Sequence, residues 1–175
     1  MGLMDALKGI KRPEPGVAPV SSDKLASKIL AMNHNDVPYR IERSEKSDLK
    51  VELKIVDAQW YEIFAKANLT KTYSIYLLLD ETTLEVRALE RMGEVKWKAG
   101  VPTVSFSASG FQGRTIVAKE FGTGFAFKAP HPLSFGTVYE YRFNAGDIKQ
   151  PLIEVITQSG WSYVPVTSMR KVKRK

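Results

Sequence analysis

The sequence predicts an α+β domain built on an antiparallel, strongly curled sheet of about six to eight strands, packed with two to three helices. Three observations carry this. Apolar and polar residues alternate at period two in several short runs, two stretches change to helical spacing, and the strand-like runs follow one another through turns short enough for hairpins. The curl is expected to approach a partial barrel gripping a C-terminal helix near Ile148–Ser159.

The chain opens on an amphipathic piece with Leu3, Met4, Leu7 and Ile10 at helical spacing, followed by KRPEPGVAPVSS, an extended Pro-rich linker. These form a segment over residues 1–22; a single domain over 23–166 and a basic, solvated tail over 167–175 complete the expected organisation. Ser22 caps a first domain helix with Leu25, Ile29 and Met32 on one face, ending in the turn-rich Asn33-His34-Asn35-Asp36. Leu49, Val51, Leu53 and Ile55 alternate with Lys50, Glu52 and Lys54 as a half-buried strand. Asp57 then caps a helix with Trp60, Ile63, Phe64 and Ala67 on one face, closed by Asn68, with Val56 and Tyr61 as a hydrophobic staple.

From Thr72 the period returns to two. Tyr73, Ile75, Leu77 and Leu79 lead through Asp80–Thr83 into Leu84, Val86 and Ala88, a hairpin. The apolar parity shifts across Gly93 to Val95, Trp97 and Ala99, which predicts a β-bulge there. Further strands are expected at Thr103–Ala108, Thr115–Phe121, Phe125–Phe127 and Thr137–Phe143. A helix follows with Ile148, Leu152, Val155 and Ile156 as its stripe, Pro151 in its first turn and Gly160 at its end. Trp161–Val166 reads as a last edge strand.

Charge narrows the function classes. The net charge is +7, yet Arg170, Lys171, Lys173, Arg174 and Lys175 supply most of it and residues 1–12 the rest, leaving Pro13–Met169 with no net charge. No phosphate-tracking groove is therefore written into the body by composition. The absence of cysteine excludes disulfides and thiolate metal sites. Asp5 and Lys8 interrupt the opening apolar residues, so no secretory signal is expected, and no apolar run approaches the roughly 18 residues of a membrane span.

Catalytic chemistry finds little footing. His34 and His131 are the only histidines and neither has a ligand partner at i,i+3 or i,i+4. Asp36 beside His34 could form half of an acid–base pair, although the surrounding residues suit a helix-exit turn. Ser109–Arg114 lacks the Lys-Ser/Thr pair of a P-loop, and Gly122-Thr123-Gly124 lacks the third glycine of a dinucleotide fingerprint. Asn68-Leu69-Thr70 matches a glycosylation sequon, idle without export. Tyr73, Tyr76, Trp97, Phe106, Tyr139, Tyr141 and Phe143 suit either a packed core or the lining of a ligand cavity. No catalytic, cofactor-binding or metal-ligating residues are assigned, and no cofactor or metal is expected.

KIVDAQWYEIFAKANLTK, EVRALE, YRFNAGDIKQPLIEVITQSGW and the opening MGLMDALKGIKRPEPGVAP together resemble a family of small uncharacterised bacterial proteins over most of the chain. The resemblance implies a bacterial, cytoplasmic protein and carries over no activity. The resulting expectation is a non-enzymatic binding module, peripheral to the inner membrane. Its anionic-surface contacts would be Arg170, Lys171, Lys173, Arg174 and Lys175, and its membrane contacts Leu3, Met4, Leu7 and Ile10. The alternatives are nucleic-acid association through the tail and a small-ligand carrier or enzyme with a cavity inside the sheet.

Overall fold

The computed structural model describes residues 2–57, 60–66, 69–106, 125–130, 138–143 and 145–174; within them, the side chains of 63, 66, 125–130, 138–143, 145 and 146 are left aside. The main sheet takes β1 (Tyr39–Arg43), β2 (Leu49–Leu53), β3 (Lys71–Asp80), β4 (Glu85–Lys98) and β5 (Val101–Ser105) in sequence order, each antiparallel to the next. A sixth strand, β8 (Ser162–Val166), joins β4 in parallel. β6 (Phe125–Pro130) and β7 (Val138–Phe143) form a separate antiparallel pair. The sheet is therefore mixed and open, not the antiparallel, strongly curled sheet expected, and it does not approach a barrel. The cause lies in the connection: β8 enters after a long helix, and a helical crossover delivers a strand parallel to its neighbour where a tight turn cannot.

β4 organises the sheet. One edge pairs with β3 from Glu85 to Glu94, while the other serves β8 at Glu85–Leu89 and β5 at Glu94–Lys98. Register with β3 advances without interruption from Lys71↔Glu94 to Asp80↔Glu85, so no bulge exists at Gly93. Val86, Ala88 and Glu90 share one face, and Val95 and Trp97 the other; burial changes faces along an unbroken strand. Gly93 is required for a different reason. A Cβ there would lie 2.8 Å from the Phe106 ring and from the Ser105 carbonyl oxygen. The Arg91 guanidinium stacks on the same ring, 4.7 Å from its centroid.

Helices cover the first face. α1 is Leu3–Lys8, α2 is Ser22–Leu30, α3 is Tyr61–Lys66 and α4 is Ala145–Gln158. Leu25 and Ile29 of α2 and Ile148, Leu152 and Ile156 of α4 pack with Leu49, Val51, Tyr73, Ile75 and Leu77 into one core. Ser21, one residue earlier than expected, caps α2 by accepting from the Lys24 amide. Asn33 then closes the outer side of β1: its side-chain amide accepts from the Ile41 N–H and donates to the Ile41 carbonyl, each at 2.8 Å. Pro151 falls in the second turn of α4 because that helix starts at Ala145.

α3 is shorter than its periodicity suggests. Trp60 and Phe64 stack with centroids 6.0 Å apart and are buried, but Val56 and Tyr61 are both exposed, so they form no staple. The Pro-rich segment is docked: Val20 donates to the Ser159 carbonyl, and the buried Trp161 donates through Nε1 to the Val20 carbonyl. Lys11 makes a two-way backbone bridge with Tyr163, so β8 is bordered on both sides and is not a bare edge. The strand predicted at Thr115–Phe121, the turns at Ser109–Arg114 and Gly122–Gly124, and His131, Asn68 and Lys175 lie outside the described residues.

On the second face Arg40 and Lys50 both bond the Glu52 carboxylate, Arg40 Nη2 at 2.6 Å. Burial pulls the Glu52 pKa up, yet the hydrogen bonds from Lys50 and Arg40 outweigh it and hold the carboxyl below its ordinary value. A depressed carboxylate stabilises the fold above its unfolded pKa and loses that contribution as pH falls through the folded one. Glu52→Gln is therefore expected to remove about 1 kcal/mol at pH 7 and progressively less as the pH is lowered through the folded-state pKa, in urea titrations at a series of pH values. A loss that does not change with pH would show that the charge is not what matters.

Candidate functional site

α1 is anchored only at its end. Gly9 adopts φ 66°, its N–H donates to the Ala6 carbonyl and the Ile10 N–H to the Asp5 carbonyl, a Schellman-type stop. No residue of the helix is buried: Leu3 is 79%, Met4 62% and Leu7 67% exposed. Ile10, turned away after Gly9, is half-buried and separates from the other three. Arg12 Nε lies 2.6 Å from Asp5 Oδ2, and this bond lowers the Asp5 pKa and raises that of Arg12. Lys8 and Lys11 have no ion-pair partner among the described residues.

The bridge Lys11↔Tyr163 and the pairing Glu85↔Ser162 set the N-terminal segment beside the start of β4. The Arg12 guanidinium feels the Glu85 charge there. The C-terminal segment returns to the same end of the sheet. After β8, Met169–Lys171 form a 3-10 turn, and Val172 is fully buried against Tyr76 and Leu89 on the second face. Arg174 Nε reaches Asp48 Oδ1 at 2.9 Å. The segment expected as a solvated tail is thus packed across the sheet, because one apolar residue among the cations finds an apolar seat.

Between this segment and the β3–β4 turn lies a concavity of about 600 Å³, lined by Asp80, Glu81, Thr82, Arg87, Arg170, Lys171 and Lys173. Arg87 bonds Asp80 at 2.9 Å and sits 3.7 Å from Glu85; Glu81 accepts from the Ser22 hydroxyl at 2.5 Å. Arg170, Lys171 and Lys173 have no carboxylate partner among the described residues. Of the expected surface contacts, three therefore converge and Arg174 is occupied across the sheet, while α1 is tied through Asp5 to Arg12, which feels the Glu85 charge.

The other candidates resolve plainly. His34 and Asp36 are exposed in the turn after α2, where the His34 carbonyl accepts from Lys54. Tyr73 and Tyr76 are packed into the interior, and Trp97 donates to the Leu69 carbonyl. Tyr139, Tyr141 and Phe143 belong to β7. Among the described residues no group of three or more His, Asp or Glu could hold a metal ion, and no helix is long and apolar enough to cross a membrane.

Sequence reasoning missed a buried polar cluster. Glu90 is 6% exposed, accepts from Tyr73 Oη at 2.9 Å and has Lys149 Nζ 2.8 Å away. Burial first, then the Glu90 charge, push the phenols of Tyr73 and Tyr163 far above the ordinary tyrosine range. The signal was present: Glu90 shares parity with Val86 and Ala88 and so stands on the core side of β4. Also missed was Arg87, whose place in the concavity depends on a segment 83 positions away along the chain. No protein-family model, no curated protein and no solved structure matches this chain.

Proposed function

We propose that the protein is a non-enzymatic binding module that docks on an anionic membrane surface, the cytoplasmic face of a bacterial inner membrane, through its N-terminal helix and the cations of its C-terminal segment. Two observations carry this: the exposed trio Leu3, Met4 and Leu7 on a helix with no buried residue, followed by Lys8 and Lys11, which have no carboxylate partner among the described residues, and the concavity of Arg170, Lys171 and Lys173. Each apolar side chain moved out of water contributes about 1.5–3 kcal/mol at most, and each nearby cation about 1 kcal/mol. Neither signal anchors alone, whereas the two together do. A nucleic acid would use the cations and leave the apolar trio without a role, which favours the bilayer.

Co-sedimentation of the full chain with phosphatidylserine-containing vesicles tests this. Binding is expected at low salt, falling steeply toward 1 M salt as charges are screened. Leu3→Ser with Leu7→Ser is expected to weaken it by about tenfold or more. Failure of the intact chain to bind at low salt would end the reading.

A further inference from the structure

The concavity is more specific than a diffuse cationic surface. It sets four cations against two carboxylates, and both carboxylates are occupied: Asp80 by Arg87 and Glu81 by Ser22. What it offers a ligand is therefore donors. Arg170, Lys171 and Lys173 are exposed, have no carboxylate partner among the described residues and flank the buried Val172, which fixes their segment in place. A volume of about 600 Å³ suits a small headgroup rather than a bare ion. An anion with three acceptor oxygens and a charge near −2 matches both the donor set and the excess of two positive charges. Resting on the docking reading above, we propose that this concavity is a recognition site for a phosphate monoester, presented either as a lipid headgroup or as a free small phosphate compound.

Two measurements on the full chain decide it. The first compares phosphatidylcholine vesicles carrying phosphatidic acid, a monoester, with vesicles carrying phosphatidylserine at matched surface potential. Phosphatidic acid is expected to bind on the order of tenfold tighter, and the preference should shrink below about pH 6 as the monoester takes up a proton. Arg170→Gln, Lys171→Gln and Lys173→Gln together should erase the preference without moving the thermal midpoint, since all three are exposed. The second is a titration with inorganic phosphate, followed by amide shifts of Thr82, Thr83 and Arg87. Shifts together with the lipid preference support the site with a lipid source, and shifts without it support the site with a soluble source. Equal binding to both lipids and no shifts would overturn the site and leave the docking reading intact. Leu3→Ser with Leu7→Ser weakens both lipids while preserving their ratio, so the two ideas fail separately.

Discussion

Replacing Lys149 with methionine is expected to destabilise the protein by about 3 kcal/mol, as it strands the Glu90 carboxylate inside the core. Lys149 Nζ is 2.8 Å from Glu90 Oε1, and the carboxylate side chain is only 5% exposed. Tyr73 Oη still donates to the other oxygen, and Lys149 is itself 24% exposed, so the loss should sit at the low end for a broken buried pair. Adding Glu90→Gln to Lys149→Met should recover most of the loss, because a neutral amide needs no counter-charge and can still accept from Tyr73. Urea unfolding of the two variants provides the comparison. A double variant no more stable than Lys149→Met would mean that the lysine matters through its packed stem, not its charge.

Gly160→Ala should cost about as much, roughly 3 kcal/mol, by a wholly different route. Gly160 has φ 78°, and a Cβ there would lie 2.6 Å from the Cα of Pro19 and 2.7 Å from its nitrogen, backbone that cannot step aside cheaply. Relieving the clash displaces the linker and breaks the bond from Trp161 Nε1 to the Val20 carbonyl, leaving a buried indole N–H unsatisfied. Gly160→Asn separates the causes. Asparagine tolerates positive φ but keeps the Cβ, so it should be nearly as damaging as alanine. Trypsin should also cut faster at Lys11 and Arg12 in both variants. Full stability in Gly160→Asn would assign the effect to backbone conformation alone.

The contrast between those sites shows what was legible in the chain and why. Period-two alternation in Leu49–Leu53 and Tyr73–Leu79, and the helical spacing of Trp60 and Phe64, report coverage by neighbours, and both became elements. Alternation does not report which layer does the covering. The parity change at Gly93 is one strand burying Val86 and Ala88 on one face and Val95 on the other, where Trp97 reaches the Leu69 carbonyl, and an inserted residue would leave the same trace. β1 has only Tyr39 and Ile41 as apolar members, too few for a period, and Asn33 completes it from outside. The direction of β8 follows from the crossover before it, and side-chain alternation is identical for parallel and antiparallel partners. At the candidate site the cations of the C-terminal segment and the apolar trio could be read locally. Where each segment docks could not, since it rests on Val172 finding Tyr76 and Leu89 and on Lys11 finding Tyr163.

The divided outer edge of β4 has a consequence for synthesis. During translation β3 and β5 can zip onto β4 soon after they emerge, but the Glu85–Leu89 half of that edge has no mate until residues 162–166 leave the ribosome. The nascent chain must carry a row of unpaired amides while the residues between Leu89 and Ser162 are added, the kind of template on which strangers polymerise. Arg87 sits in the middle of that stretch with Glu85 beside it. Two adjacent charges guard the slot that the last strand will occupy.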